Sequence, residues 1–537
     1  MQNELWMTVI AVGVLLVFSV GASAQGWRGK EVPPLKDVFQ DYFYIGAAVS
    51  PRHLDEQGNA ADLLAYHYNI LTAENAMKPD GLQPIEGQFT WKDADAIVDF
   101  AEQNQMKLRG HTLVWHNQIP GWFFLDPENP DQLAEADLLI GRLENHIKTV
   151  IGRYRGRVYA WDVVNEVLND SGNIRAESDG SKWSAIIGDL DEDGYDSDYI
   201  ELAFKFAREA DPDAKLFIND YGLESPGPKR QGMYRLVKRL LEKGIPIDGV
   251  GLQMHISIYS PTIKDIEETI ELFATLKEYN PDFTVEVTEL DVSLYRWDEP
   301  QKEITAELLD TQAERYDKLF EMFRRQAEKG NLSAVVMWGV DDSHSWLNNF
   351  PVRGRGNAPL LFDHNLEPKP AFYQVVQPGE PWYVTKGRLL GETAAENLVK
   401  DRPINASHRP ERAVRAVDGD RLTSWSTGGE PPFWLSIDLG SPHILTRWVV
   451  YHRGSSAVEA EPIDGAVNTA DFALQISDDG TAWRDADTVE GNSLGVTDRV
   501  ITPVTARYAR LLITKPSSLD FNQDAVIYEF EVYGFKK

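Results

Sequence analysis

The stretch Tyr159-Ala160-Trp161-Asp162-Val163-Val164-Asn165-Glu166 is a run of β-forming residues that stops abruptly on an amide and a carboxylate. A counterpart lies farther along, in Thr284-Val285-Glu286-Val287-Thr288-Glu289-Leu290-Asp291, where a second apolar run also delivers a glutamate at its far end. Two glutamates at two strand ends suit paired-carboxylate chemistry, in which one acts as acid and the other as base or nucleophile.

Outward from this pair, short apolar runs alternate with longer stretches of helical period. Strands are predicted at 43–49, 70–74, 108–115, 158–165, 216–219, 250–255, 283–289 and 334–340. Between them, Ile140, Leu143, Ile147 and Val150 recur at spacings of three and four, as do Leu309, Ala313, Tyr316, Phe320 and Phe323. Each series places one apolar stripe on a helix. Gly244 reads as a helix stop. Eight such alternations fit an α/β chain folded as a (β/α)8 TIM barrel better than a doubly wound sheet.

The polar residues support that choice, because they fall at the C-terminal ends of the predicted strands. Glu74, Asn75 and Lys78 follow the second strand, and His111, Trp115, His116 and Gln118 the third. Asn165 and Glu166 end the fourth, Asn219 and Asp220 the fifth, and Gln253 and His255 the sixth. Glu289 and Asp291 end the seventh, with Trp338, Asp341 and Asp342 on the eighth. A barrel gathers those ends around one mouth, so these side chains are expected in a single cleft.

At 537 residues with 42% hydrophobic residues, the chain is long enough for two or more packed units. Its 53 Lys plus Arg stand against 84 Asp plus Glu, a formal charge of −31. Nucleic-acid binding relies on cations neutralising phosphates, so that partner class is excluded, while a neutral polymer is compatible. The absence of cysteine removes disulfides, thiolate metal sites and cysteine nucleophiles. Residues 5–20 form an apolar run ahead of Ala22-Ser23-Ala24, which reads as a signal peptide over 1–24 with Gln25 as the mature N-terminus. Glu4 stands where such leaders usually carry lysine, leaving an uncleaved anchor as the alternative. The expected destination is secretion, extracellular or periplasmic, as a monomer with no membrane association after cleavage.

Hydrolysis of a glycosidic bond needs a proton on the leaving oxygen and a negative partner at the developing oxocarbenium carbon. Two carboxylates supply both, with retention when they lie about 5 Å apart and inversion across a wider gap. Sequence spacing leaves that choice open. One carboxyl must stay protonated, and repulsion from an ionised neighbour is the expected means.

The runs Glu74-Asn75-Ala76-Met77-Lys78-Pro79, Gly110-His111-Thr112-Leu113-Val114-Trp115-His116, Asp162-Val163-Val164-Asn165-Glu166, Asn219-Asp220-Tyr221, Gly251-Leu252-Gln253-Met254-His255, Thr288-Glu289-Leu290-Asp291 and Trp338-Gly339-Val340 resemble, in order, those of glycoside hydrolase family 10 endo-β-1,4-xylanases. The resemblance spans roughly residues 38–376. It implies a retaining endo-xylanase acting on xylan and xylo-oligosaccharides, with Glu166 as acid/base and Glu289 as nucleophile. It further implies Asn165 and His111 at the sugar in the −1 subsite, and Asn75, Lys78 and Gln118 on neighbouring hydroxyls. His255 would tune Glu289, and Trp338 and Trp346 would be stacking walls for pyranose faces. Glu74, Trp115 and Gln253 complete the substrate-binding set, and catalysis needs no cofactor. The alternatives are another retaining β-1,4-glycanase, acting on glucan or mixed-linkage chains, and a catalytically silent carbohydrate-binding protein.

One departure is the acidic insertion Asp189-Leu190-Asp191-Glu192-Asp193-Gly194-Tyr195-Asp196-Ser197-Asp198. Its Asp-x-Asp-x-Asp-Gly core resembles a calcium loop, although the twelfth position is Ile200 and Glu201 comes one place late. Calcium and a merely solvated loop both remain open.

The catalytic unit is thus expected over 25–376, followed by a connector at 377–396 rich in Pro and Gly. From 397 to 537 the texture changes to period-two strands, such as Leu435-Ile437-Leu439 and Phe472-Leu474-Ile476, with a turn at Asp478-Asp479-Gly480. This reads as an all-β sandwich. The runs Ala416-Val417-Asp418-Gly419-Asp420-Arg421-Leu422-Thr423-Ser424-Trp425 and Tyr528-Glu529-Phe530-Glu531-Val532-Tyr533-Gly534 resemble discoidin, or coagulation-factor C-type, domains. Bacterial carbohydrate-binding modules of family 32 share that jelly-roll fold. The resemblance implies a structural Ca2+ at Asp418, Thr423 and Glu529, with backbone oxygens of Arg415 and Asp420.

Overall fold

The computed structural model describes residues 32–536 apart from 56–58, 380–381, 383–384, 387–395, 456–464 and 520–523. The expected leader lies outside these residues, as does most of the connector. Among the described residues no helix is long and apolar enough to cross a membrane.

Eight parallel strands form the first unit: β1 (Tyr44–Val49), β2 (Ile70–Ala73), β3 (Lys107–Val114), β4 (Ala160–Asn165), β5 (Lys215–Asp220), β6 (Gly249–Leu252), β8 (Thr284–Ser293) and β9 (Leu332–Met337). The short β7 (His255–Ser257) rides on the end of β8. Neighbours pair in sequence order, β9 pairs with β1, and β6 pairs with β8 across β7, so the sheet closes on itself as a barrel. A helix follows each barrel strand, including Ala136–Tyr154, Pro228–Glu242 and Ala306–Glu328, and covers the outside. The strands are almost wholly buried, as expected of a parallel sheet with both faces covered. Gly110 illustrates the packing: a Cβ there would stand 2.2 Å from the Trp161 ring, so only glycine lets that indole fill the space beside β3.

Prediction and structure differ at particular elements. The run expected at 250–255 is broken at Gln253 and Met254, where Met254 takes φ +56°, so β6 ends and β7 begins at His255, both parallel to β8. The strand carrying Glu289 runs on to Ser293, because β7 extends the pairing beyond the barrel rim.

The second unit is an antiparallel sandwich with its own core, built around Trp425, Trp448, Phe472 and Phe530 and separate from the barrel core. The alternating Leu435, Ile437 and Leu439 lie on one long strand, Phe433–His452, whose register shifts between Asp438 and His443. Gly440, at φ +85°, sits inside the irregularity and permits it. Strand Val496–Lys515 lies along Phe433–His452 on the side opposite Val526–Lys536.

Candidate active site

The C-terminal strand ends surround a cleft of about 910 Å³. Its lining takes in Glu74, Asn75, Lys78, His111, Trp115, Gln118, Asn165, Glu166, Gln253, His255, Glu289, Trp338 and Trp346, so residues far apart in sequence share one surface. Five residues expected at the mouth lie outside that lining. Asp220 is buried against Lys229 Nζ at 2.8 Å, Asp342 is paired with Lys369 at 2.8 Å, and Asp341 is buried beside Asp342. Asn219 is buried beneath the carboxylates, and His116 stands edge-on to Trp115 outside the lining.

Glu166 directly follows β4 with φ +54°, a left-handed conformation rare for a side-chain-bearing residue and costing of order 1 kcal/mol. Its N–H donates to the Asn219 carbonyl at 2.8 Å, which fixes the turn. Its carboxylate is held at both oxygens: Trp115 Nε1 donates to Oε2 at 3.0 Å and Gln253 Nε2 to Oε1 at 3.2 Å.

Glu289 is more enclosed, only 4% exposed. Asn219 Nδ2 donates to its Oε1 at 2.7 Å, and His255 Nε2 lies 3.2 Å from its Oε2. Asn219 is itself oriented, since its amide oxygen accepts from Thr288 Oγ1 at 2.7 Å. Burial disfavours the Glu289 charge, but the His255 hydrogen bond and attraction to His111 and His255 outweigh it and hold the carboxyl below its ordinary range. On the other side of His255, Nδ1 lies 3.0 Å from Asp291 Oδ2, which also accepts from Trp346 Nε1 at 2.8 Å. Burial opposes protonation of this imidazole, yet Asp291 and Glu289 together raise it to about 10, so an imidazolium sits between two carboxylates at neutral pH.

Beneath the cleft, Arg109, Asp162 and Glu286 are each fully buried and joined through the Arg109 guanidinium. Asp162 Oδ2 also takes His111 Nδ1 at 2.9 Å, which orients that ring toward the cleft from below. Tyr159 Oη and Ser333 Oγ donate to Glu286 Oε1 at 3.1 and 2.9 Å, so the second carboxylate is also satisfied. At one edge, Lys78 Nζ donates to Asn75 Oδ1 at 2.9 Å and Gln118 Oε1 at 2.7 Å. Burial pulls this ammonium below its usual value against the attraction of Glu289 and Glu74.

Sequence reasoning missed several lining residues, among them Tyr221, Glu224, Tyr295, Trp297 and Phe350. Trp297 is 58% exposed, with its ring 5.4 Å from Phe350 and 6.4 Å from Trp346. Trp346 and Phe350 stack at 5.4 Å, so the aromatic wall reaches well beyond Trp338. The only signal of Trp297 and Phe350 was an aromatic residue in a stretch with neither helical nor strand period.

The acidic insertion folds back on its own N–H groups, Asp189 accepting from Asp193 and Gly194. Lys243 Nζ lies 2.6 Å from Asp191, 3.1 Å from Asp193 and 2.5 Å from Glu201, and Arg239 pairs with Asp193 at 2.6 Å. In the sandwich, Thr423 Oγ1 lies 2.8 Å from Asp418 Oδ2, 3.2 Å from the Arg415 carbonyl and 3.3 Å from the Asp420 carbonyl. The Asp420 side chain instead accepts from Leu422 N at the surface, so that residue joins the cluster through its backbone. Glu529 is fully buried; its Oε1 accepts from Gly419 N at 2.7 Å, while Oε2 has no hydrogen-bond partner among the described residues. Burial and the neighbouring Asp418 push this carboxyl up to about 8.

Residues 415–511 match the model for NedA-like, galactose-binding domains. The chain is 48% identical over 407 residues to endo-1,4-beta-xylanase C of Paenibacillus barcinonensis, covering 74% of this chain and 37% of that protein. It is 45% identical over 400 residues to the thermostable celloxylanase of Thermoclostridium stercorarium, covering 70% and 97%. Several relatives are much longer than their matched part, the match spanning 28–37% of their length. The solved GH10 structure from Paenibacillus barcinonensis superposes with a TM-score of 0.63 at 48% identity, over 64% of this chain and 97% of that one. TsXylA, an intracellular xylanase from Thermoanaerobacterium saccharolyticum solved with xylotetraose, superposes at 0.57 and 47% identity, over 64% and 98%. Residues 34–378, well over half of the chain, match the model for glycosyl hydrolase family 10, and to that family the chain belongs.

Proposed function

We propose that the protein hydrolyses internal β-1,4-xylosidic bonds of xylan with retention, through a covalent glycosyl-enzyme. The observation that carries the reading is the pairing of unlike carboxyl environments in one aromatic-walled cleft. Glu289 is enclosed, ionised and aimed by Asn219 and His255, whereas Glu166 is only partly buried at the rim. In the first step a Glu289 oxygen bonds to the anomeric carbon as the glycosidic bond breaks, and Glu166 gives its proton to the departing oxygen. Having given up its proton, Glu166 is left as a carboxylate facing the glycosyl-enzyme, in place to act as base. In the second step Glu166 takes a proton from water, whose oxygen bonds to the anomeric carbon and releases Glu289. His111, Asn165, Lys78 and Gln253 bind sugar hydroxyls near the reacting ring, while Trp338 and Trp346 stack on sugar faces.

Release of reducing ends from xylan, with the β-anomer formed first by NMR, is the expected result. No release from xylan alongside release from a β-glucan would favour the broader glycanase reading, and none from either the silent binder. The sandwich is read as a carbohydrate-binding tether that holds one Ca2+ through Asp418, Thr423, Glu529 and the carbonyls of Arg415 and Asp420. The unsatisfied Glu529 oxygen beside a second carboxylate fits an oxygen-seeking cation. Secretion after cleavage at Ala24, as a monomer, completes the reading.

A further inference from the structure

We propose that His53, Asp341 and His344 form a site for a divalent d-block cation such as Zn2+, fastening the first βα loop of the barrel to the last. One donor atom from each of the three side chains lies within 4.8 Å of the others. His53 follows β1 in the short helix Pro51–Leu54, and Asp341 and His344 follow β9. The three therefore meet across the seam where the barrel closes. His53 is 5% exposed and Asp341 3%, while the His344 side chain is 43% exposed and gives the site an entry.

One donor pair already stands at the spacing of ligands sharing one ion, and the third donor lies within 4.8 Å of both. His344 Nδ1 lies 3.2 Å from Asp341 Oδ2, whereas two donors on tetrahedral zinc with bonds of about 2.0–2.1 Å stand roughly 3.3 Å apart. The two imidazole rings are 5.3 Å apart and steeply inclined at 69°, rather than stacked. Two nitrogens and one carboxylate, without thiolate, suit Zn2+, Co2+ or Ni2+ better than Ca2+, with water completing the shell.

A cationic group already occupies one donor. Arg52 Nε donates to His53 Nε2 at 3.2 Å, using the electron pair a metal would take. On the other ring nitrogen, Nδ1 accepts from Ser50 N at 3.2 Å, with Ser50 Oγ at 3.5 Å. A neutral imidazole cannot accept at both nitrogens, so one of these contacts is unsatisfied as it stands. With Nδ1–H turned to Ser50 Oγ, Nε2 is left for the metal, and the exposed Arg52 guanidinium is free to leave. The segment that would be clasped carries Trp338 before it and Trp346 after it, so an ion here would steady two walls of the cleft.

The test uses the full chain without a histidine tag, stripped with chelator and kept in excess Ca2+ to fill oxygen-only sites. Co2+ is titrated and its visible d–d absorption recorded. Saturation at one equivalent is expected for the wild type. His344→Ala, at an exposed position that spares the core, should weaken binding at least tenfold, and Asp341→Asn should do the same. Arg52→Ala should tighten binding several-fold by removing the competing cation. No visible band in the wild type, or the same titration in His344→Ala, would overturn the site.

Discussion

Asp291→Asn tests the argument that a charged His255 keeps Glu289 ionised. The Asp291 carboxylate lies 3.0 Å from His255 Nδ1 and is the leading favourable influence that raises this imidazole to about 10. Asparagine keeps the shape and an oxygen for Trp346 Nε1 but removes the charge. His255 should then titrate much nearer its ordinary value of about 6.5, and Glu289 loses its cationic neighbour at neutral pH. An adjacent opposite charge lowers a carboxyl by about 1–3 units, each worth about 1.4 kcal/mol. The acid limb of kcat/KM should therefore move up by about one unit or more. Each unit costs up to about tenfold in rate at pH below both limbs and almost nothing well above them. A loss that deepens on acidification thus reports ionisation, while a loss equal at all pH values reports misplacement.

The same pair makes a stability statement. A His raised on folding stabilises fully below its unfolded value of about 6.5, and that contribution fades as pH climbs toward about 10. Glu289, lowered on folding, contributes above its unfolded value and loses that contribution as pH falls through its folded one. Wild-type melting temperature should thus fall between pH 7 and 10 more steeply than that of Asp291→Asn. Coincident acid limbs together with parallel melting curves would refute the reasoning.

Other expectations follow from the same geometry. Glu289→Ala should lose turnover on every glycoside and regain it with azide as the inverted product, whereas Glu166→Ala should give a retained azide product from substrates with a good leaving group. The reverse stereochemistry by NMR would exchange the two roles. Arg109→Leu strands Asp162 and Glu286 without their shared cation, and should cost about 3–5 kcal/mol in denaturant unfolding. Removing residues from about 390 onward should spare hydrolysis of soluble xylo-oligosaccharides and lower that of insoluble xylan, compared by reducing-sugar release. Chelation should lower the melting temperature of the sandwich transition by calorimetry, and Glu529→Gln should make that transition indifferent to Ca2+.

Much of the barrel was legible because its signal is local. A buried parallel strand reads as a short apolar run, and the residue at its end reads as polar, so β2 through Glu74 and β4 through Glu166 stand out in the sequence alone. Contacts between strands carry no such signal. Arg109 sits inside an apolar run, and only closure of the barrel brings it between Asp162 on β4 and Glu286 on β8. The pairing of His53 with His344 is hidden for the same reason, since β1 meets β9 only when the sheet closes. Asn219 read as one more mouth residue, yet its register opposite Asn165 places it beneath the carboxylates as an orienting donor. The break at Met254 was invisible because a left-handed turn at a methionine has no compositional mark.

The two acidic clusters differ in the charges that the fold brings to their oxygens. The insertion at 189–198 carries the more suggestive spacing, yet Lys243 and Arg239 from the helix Pro228–Glu242 and its cap reach into it and neutralise Asp191, Asp193 and Glu201. With a lysine ammonium 2.5 Å from buried Glu201, the desolvated charge already has its partner, and the insertion is pinned to the barrel flank by ion pairs. The sandwich cluster has the weaker sequence mark, a few oxygens spread from Arg415 to Glu529. Its Glu529 lies close to Asp418 with one oxygen buried and unmatched, and burial makes ionisation costly there without an added positive charge. What separates the two is the charge balance each fold leaves behind: the insertion draws its cations from a neighbouring helix, and the sandwich loop leaves two carboxyl groups facing each other.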